Sequence, residues 1–129
     1  MIDDSPTGLL YSQTVLENEG YIVHAFKSSI GIVHAFHKLK PDVVVVDVNM
    51  PAIRGDQICR LIRAVSRGQG PLIILHSSDT PKDLRQLVSE CSADGYVCKS
   101  ESSAALTRAI YDLLHREAAN DTGRLMASK

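Results

Sequence analysis

The sequence predicts an α/β domain in which strands and helices alternate around one parallel sheet. Three observations carry this. The first is Val43-Val44-Val45-Val46, four β-branched residues running straight into Asp47 with no polar alternation. Such a run marks a strand buried on both faces. The second is Leu72–Leu75, another wholly apolar run that ends abruptly in His76-Ser77-Ser78-Asp79. The third is that stretches of helical period lie between such runs, with short connections. Strict alternation of this kind places helices on both faces of a parallel sheet through right-handed crossovers.

The elements follow in order. Met1-Ile2 reads as the end of a first strand, with Asp3-Asp4-Ser5-Pro6 after it. Ser5 is a capping residue and Pro6 suits a first helical turn. Leu9, Leu10, Gln13, Leu16 and Glu17 then carry a helical pattern that Gly20 stops. Tyr21 to Phe26 is a short second strand. Ser28 or Ser29 caps a second helix through Ile32, Val33, Ala35, Phe36 and Leu39, which Lys40-Pro41 ends. Val43–Val48 is the third strand. Its exit, Asn49-Met50-Pro51 with Gly55, is loop-forming. A third helix runs from Gly55 to about Arg67, with Ile58, Leu61, Ile62 and Val65 on one face. Gly68-Gln69-Gly70-Pro71 breaks it before the fourth strand. Thr80-Pro81 opens a fourth helix through Leu84, Leu87 and Val88, and Gly95–Lys99 is the fifth strand. Ser102 or Ser103 caps a final amphipathic helix bearing Leu106, Ile110, Leu113 and Leu114. From about Glu117 the chain turns polar and loses its period. This suggests a domain over 1–116 and a tail, linker or stub over 117–129.

Composition narrows the class. A chain of 129 residues suits one domain with one core. Net charge is −1, which gives no direct nucleic-acid surface and no membrane surface in this segment. No apolar run approaches bilayer-spanning length. The three cysteines, Cys59, Cys91 and Cys98, form no CxxC pair and are odd in number, so they read as reduced core thiols of a cytoplasmic protein. His34 and His37 share a helix face, but nothing nearby completes a metal set, and they read as surface.

The polar groups fall at strand ends. The first strand ends in Asp3-Asp4, the third in Asp47, the fourth in Ser77-Ser78 and the fifth in Lys99. In a parallel sheet these carboxyl ends share one edge, where open α/β sheets place their chemistry. The second strand ends without a comparable group and is placed outermost. Three clustered carboxylates resist ionisation unless a cation joins them. Mg²⁺, a hard ion that takes oxygen ligands and keeps open water positions, answers that need. Lys99 would complement an anion at the same place, and the set suits phosphoryl transfer to an aspartate.

Ile2-Asp3-Asp4-Ser5, Val46-Asp47-Val48-Asn49-Met50-Pro51 with Gly55, Ile74-Leu75-His76-Ser77-Ser78 and Gly95-Tyr96-Val97-Cys98-Lys99 together resemble the receiver domain of two-component response regulators. The resemblance covers nearly the whole chain to about residue 116. It implies a flavodoxin-like (CheY-like) three-layer fold, with five helices around a five-stranded parallel sheet in the order 2-1-3-4-5. It implies that Asp47 accepts a phosphoryl group from a sensor histidine kinase or phosphotransfer protein. Asp3, Asp4, Asp47 and the backbone carbonyl of Asn49 would then hold Mg²⁺. Lys99 would pair with the phosphoryl group, Ser77 would bond its oxygen, and Tyr96 would change rotamer with Ser77. His76 and Ser78 rival Ser77, but the separations of Ser77 from Asp47 and Lys99 are the family-like ones.

The implied protein is a switch rather than a metabolic enzyme, with Mg²⁺-dependent phosphorylation and dephosphorylation at Asp47. Its readout would be the face of the fourth helix, fifth strand and fifth helix, offered to an output domain, a downstream protein or a second copy. Three departures stand out, the first being that only Met1-Ile2 stand before the acidic pair where the family usually has several apolar residues. Ser77 replaces the commoner threonine, and Ser100 replaces the usual proline, which predicts a trans Lys99–Ser100 bond. An alternative is an interaction module that works without phosphorylation, which would lack carboxylate-dependent Mg²⁺ binding. A phosphohydrolase with an aspartate nucleophile is disfavoured, because Asn49 stands where such enzymes carry a second aspartate.

Overall fold

In a computed structural model the backbone is described for residues 1–51, 53–67 and 70–127, and side chains as far as residue 116. Three parallel strands form the sheet: β1 (Val43–Asp47), β2 (Leu72–Ser77) and β3 (Gly95–Cys98), in the order β1-β2-β3. Val45 pairs with Ile74, Asp47 with His76 and Ser77 with Cys98, so the carboxyl ends of the strands lie level.

The first two expected strands are reduced to single bridges. Ile2 bridges in parallel to both Phe26 and Val46. Its backbone N–H donates to the Val45 carbonyl at 2.8 Å, its carbonyl accepts from Asp47 at 2.8 Å, and the Phe26 carbonyl accepts from Asp3 at 3.0 Å. The spatial order is therefore the expected 2-1-3-4-5, with Met1–Asp3 in the second place, between Phe26 and β1. A strand needs a neighbour along its length. Within Tyr21–Ala25 the His24 carbonyl accepts from the Met1 amino group at 2.9 Å, and no ladder forms. A cleft of about 540 Å³, walled by residues such as Leu16, Phe36, Val43 and Ile110, lies between this segment and β1.

The five helices are α1 (Pro6–Asn18), α2 (Ile32–Leu39), α3 (Gly55–Ser66), α4 (Pro81–Cys91) and α5 (Ser103–Ala127). Ser5 caps α1, its hydroxyl accepting from Gly8 at 3.4 Å, and Thr80 caps α4, accepting from Asp83 at 3.3 Å. Neither Ser28 nor Ser29 caps α2. Gly31, at φ 76°, holds that place, because the Ser28 hydroxyl is spent on a turn that takes the Ile30 N–H at 3.1 Å. Ser102 precedes α5, and its carbonyl accepts from Ala105 at 2.9 Å. The α5 backbone continues past Glu117 to Ala127, where a polar tail was expected. The segment contains no proline and is rich in alanine and other helix formers. Of the break expected after α3, Gly68 and Gln69 lie outside the described residues. The Lys99–Ser100 bond is trans, as its serine predicted.

The pleat splits the core in two. Val44, Val46, Ile73 and Leu75 face α3 and α4, meeting Ile58, Ile62 and Leu84. Val45, Ile74 and Val97 face α1 and α5, meeting Leu16, Leu106 and Ile110. Each fully buried side chain of this size contributes about 1.5–3 kcal/mol, which is why the strands show no polar alternation. Cys59, Cys91 and Cys98 are buried free thiols within these layers.

At the amino edge of the sheet, Arg63 of α3 ties three segments together. Its guanidinium donates to the Ser92 carbonyl at 2.8 Å, the Pro71 carbonyl at 3.0 Å and Asp94 Oδ2 at 2.7 Å. The same Asp94 oxygen accepts the Ile73 N–H at 2.7 Å.

Candidate functional site

The apolar run of β1 delivers Asp47 to the carboxyl edge of the sheet, and the chain then turns back into α3. That return is tight. A Cβ on Gly55 would strike the Asp47 carbonyl and lie 2.8 Å from the Val48 Cα. The Gly55 N–H donates to the Val48 carbonyl at 3.0 Å. Only glycine lets the first turn of α3 press against the strand end that carries Asp47.

Asp3 and Asp4 reach the same edge because Ile2 is bridged between Phe26 and Val46. Each of Asp3, Asp4 and Asp47 offers a carboxylate oxygen, and these oxygens lie within 4.8 Å of one another. Asp3 and Asp47 are both only 4% exposed, while Asp4 faces solvent. Lys99, just past β3, places Nζ 2.9 Å from Asp3 Oδ2 and 3.3 Å from Asp47 Oδ2. The other oxygen of each buried acid is fixed by backbone. Asp3 Oδ1 accepts from Ser5 at 2.9 Å, and Asp47 Oδ1 accepts from Asn49 at 3.2 Å.

The charges reflect this crowding. Burial raises the pKa of Asp47 above the ordinary carboxylate value, and the Asp3 charge adds to the rise, against the Asn49 N–H and Lys99. For Lys99, burial pulls the pKa down, but hydrogen bonds and charges from Asp3 and Asp47 outweigh it and hold the ammonium above its usual value. One ammonium faces three carboxylates, so the edge is left anionic. A hard divalent cation suits this donor set of oxygens, two of them buried and one open to solvent.

The expected residues Asp3, Asp4, Asp47 and Lys99 are thus brought together. Ser77 is near but otherwise engaged. It is fully buried at the end of β2, and its hydroxyl accepts from Asn49 Nδ2 at 3.0 Å and lies 3.0 Å from Asp79 Oδ2. Its carbonyl accepts the Lys99 N–H at 2.7 Å, joining the ends of β2 and β3. Ser78, its rival, is exposed. Tyr96 is half-buried against the α3–α4 layer. Asn49 was expected to act through its backbone carbonyl, and the structure adds its side chain, which also reaches Asp79 Oδ2 at 3.2 Å. Asp79 was missed as a participant. The signal available was the Ser77-x-Asp79 spacing, which lets an acid fold back onto a serine hydroxyl.

His76 presents the other polar surprise. Its Nδ1 is buried without a hydrogen-bond partner among the described residues. Burial lowers its pKa, as does the Lys99 charge, against a smaller opposite effect of Asp3. His34 and His37 are exposed, and the described residues hold no potential metal cluster besides the three aspartates.

Comparison with known proteins agrees with this geometry. The sequence profile of the response regulator receiver domain matches residues 1–111. The transcriptional regulatory protein CreB of Escherichia coli is 31% identical over 102 residues, which are 79% of this chain and 44% of that protein. CseB of Streptomyces avermitilis, also a transcriptional regulatory protein, is 33% identical over 105 residues, covering 81% of this chain and 43% of its own length. The chain therefore spans less than half the length of these relatives. A sensor protein, GacS of Pseudomonas syringae, is 32% identical over 113 residues, 84% of this chain and 12% of that protein. Among solved structures, a LuxR-family two-component response regulator from Aurantimonas superposes with a TM-score of 0.79 at 28% identity, over 88% of this chain and 81% of that one. The chemotaxis protein CheY4 of Vibrio cholerae gives the same TM-score, 0.79, at 22% identity, over 86% and 92%. With its flavodoxin-like order, its acidic rim and this profile match, the chain belongs to the receiver domain family of response regulators.

Proposed function

We propose that Asp47 is a phosphoacceptor and that the domain is a signalling switch set by its phosphorylation. The observation that carries this is the Lys99 ammonium held between Asp3 and Asp47 in a rim with an excess of carboxylates. An Asp47 oxygen forms a bond to phosphorus as the phosphorus–nitrogen bond of a kinase's phosphohistidine breaks, and the imidazole leaves with the electron pair. Asn49 and Lys99 orient the carboxylate for this attack. Lys99, already paired with Asp47, stays beside the charge that arrives. Asp3, Asp4, Asp47 and the Asn49 carbonyl are the groups that would hold Mg²⁺, which when bound neutralises charge on the transferring phosphoryl oxygens. The Ser77 hydroxyl then turns to a phosphoryl oxygen and Tyr96 follows, altering the face of α4, β3 and α5.

The partners on this reading are a sensor histidine kinase or phosphotransfer protein upstream and an output domain or downstream protein beyond. A second copy meeting the α4–β3–α5 face is a further partner. Similarity both to transcriptional regulatory proteins and to a sensor protein supports that placement. We assign the receiver unit to 1–116 and a connecting segment to 117–129, in a cytoplasmic protein. No helix among the described residues is long and apolar enough to cross a membrane.

The test is incubation with a small-molecule phosphodonor and Mg²⁺, read by intact-mass spectrometry. The wild-type chain should gain one phosphoryl group and Asp47→Ala none. A gain that survives in Asp47→Ala sinks the assignment.

A further inference from the structure

The Ser77 hydroxyl has one proton and two lone pairs, and every one of them is committed. Asn49 Nδ2 donates to Ser77 Oγ at 3.0 Å, and the Asp79 backbone N–H donates to the same oxygen at 3.2 Å. Those two fill the lone pairs. The proton is left for Asp79 Oδ2, 3.0 Å away. Asn49 Nδ2 spans the pair, with its second hydrogen on Asp79 Oδ2 at 3.2 Å. A carboxylate only accepts, so the donors in this triangle are fixed. An ionised acceptor makes this the stronger kind of hydrogen bond. Ser77 is fully buried, so water cannot take the place of these partners, whereas Asp79 is half-exposed and can be rehydrated when it lets go.

We propose that Asp79 is a latch: its carboxylate captures the Ser77 proton and keeps the hydroxyl from serving a phosphoryl group on Asp47. This rests on the phosphoacceptor reading above and adds a positioning residue to it. Two anions compete for one proton, the Asp79 carboxylate at rest and the phosphoryl oxygens after transfer. The hydroxyl can satisfy only one, so the strength of the Ser77–Asp79 bond sets how readily the switch is thrown. Asn49 bridges the latch and the acceptor, since its backbone N–H holds Asp47 Oδ1 while its side chain holds Ser77 and Asp79. A hydrogen bond to a charged group, once removed, shifts such an equilibrium by about tenfold to a hundredfold.

The experiment measures the rate of phosphoryl uptake from a small-molecule donor with Mg²⁺, by intact mass, in five proteins: wild type, Asp79→Ala, Asp79→Asn, Ser77→Ala and the Ser77→Ala/Asp79→Ala double variant. Asp79→Ala should take up phosphate about tenfold faster than wild type. Asp79→Asn, which keeps an acceptor but loses the charge, should fall between them. In the Ser77→Ala background the same Asp79→Ala change should do little, because no proton remains to be captured. A gain that persists undiminished without Ser77 would mean that Asp79 acts only as a nearby negative charge, and it overturns the latch. An Asp79→Ala rate equal to wild type overturns it as well. A wild-type chain that takes up no phosphoryl group at all overturns the phosphoacceptor reading, and the latch with it, so the two failures are told apart by the wild-type control.

Discussion

The two edges of the sheet use the same chemistry to opposite ends. At the amino edge, Arg63 meets Asp94 at 2.7 Å, the guanidinium also donates to the Ser92 and Pro71 carbonyls, and the same Asp94 oxygen accepts the Ile73 N–H. At the carboxyl edge, Lys99 meets Asp3 at 2.9 Å and Asp47 at 3.3 Å, with Asp4 close by. The first cluster balances one cation against one anion. The second sets one cation against three anions. Ion-pair distance alone therefore does not separate a structural contact from a working one. What separates them is whether the charges balance.

The sharpest way to break this contrast is to add the cation that only one edge calls for. Mg²⁺ at about a hundred times its dissociation constant should stabilise the wild-type chain by about 2.7 kcal/mol, read as a rise in Tm. Asp4→Asn should lose most of that rise, while Arg63→Ala should keep it. A Tm indifferent to Mg²⁺, or equal responses in wild type and Asp4→Asn, would erase the distinction.

Next comes the balanced edge. Arg63→Ala leaves two carbonyls and Asp94 short of a donor and should cost about 2 kcal/mol, lowering Tm by roughly 8 °C. Both partners of this pair are about a quarter exposed, with side chains at 25% and 28%, so the loss stays below that of a fully buried pair. Urea unfolding at neutral pH measures it.

At the unbalanced edge a deletion should act in the other direction. The pKa of Asp47 is raised on folding, chiefly by burial, so folding favours its protonated form. The group supports the fold below its unfolded value of about 4 and loses that contribution as pH rises through its folded value. At neutral pH without Mg²⁺, Asp47→Ala should therefore be the more stable protein. The advantage should vanish as pH falls toward 4. Thermal melts in a chelator across that range test both statements, and a destabilised Asp47→Ala would show that Lys99 had already balanced the rim.

The smallest effect belongs to His76. Its pKa is lowered on folding, again chiefly by burial, so its contribution is present above the unfolded value of about 6.5 and is lost as pH falls below it. Replacing it with glutamine should flatten the stability difference between pH 7.5 and pH 6 by less than about 1 kcal/mol. Paired urea midpoints at the two values are the measurement.

The contrast also bears on what a sequence reveals. Val43–Val46 and Leu72–Leu75 were legible because burial on both faces leaves no freedom in residue type. Asp47 and Lys99 were legible because a charged side chain closing such a run adds nothing to the core it abuts. Tyr21–Phe26 looked like a strand by composition, but a strand is a property of two segments, and only His24 and Phe26 meet the short stretch from Met1 to Asp3. At α2, two local signals competed, and the Ser28 turn with Gly31 prevailed over serine capping. The end of α5 was read from lost amphipathic period, although a helix backbone needs only tolerant residues to continue. Asp79 escaped notice because its role exists only once Asn49, from the neighbouring strand end, arrives beside Ser77.

The seam at Gly55 has a mechanical consequence. With no room for a single extra carbon between the start of α3 and the backbone of Asp47 and Val48, that wall acts as an anvil. A push delivered at Asp47 finds no give there. If Asp47 is phosphorylated as proposed, the way left open to a displacement runs across the ends of β2 and β3, where the Ser77 carbonyl accepts the Lys99 N–H.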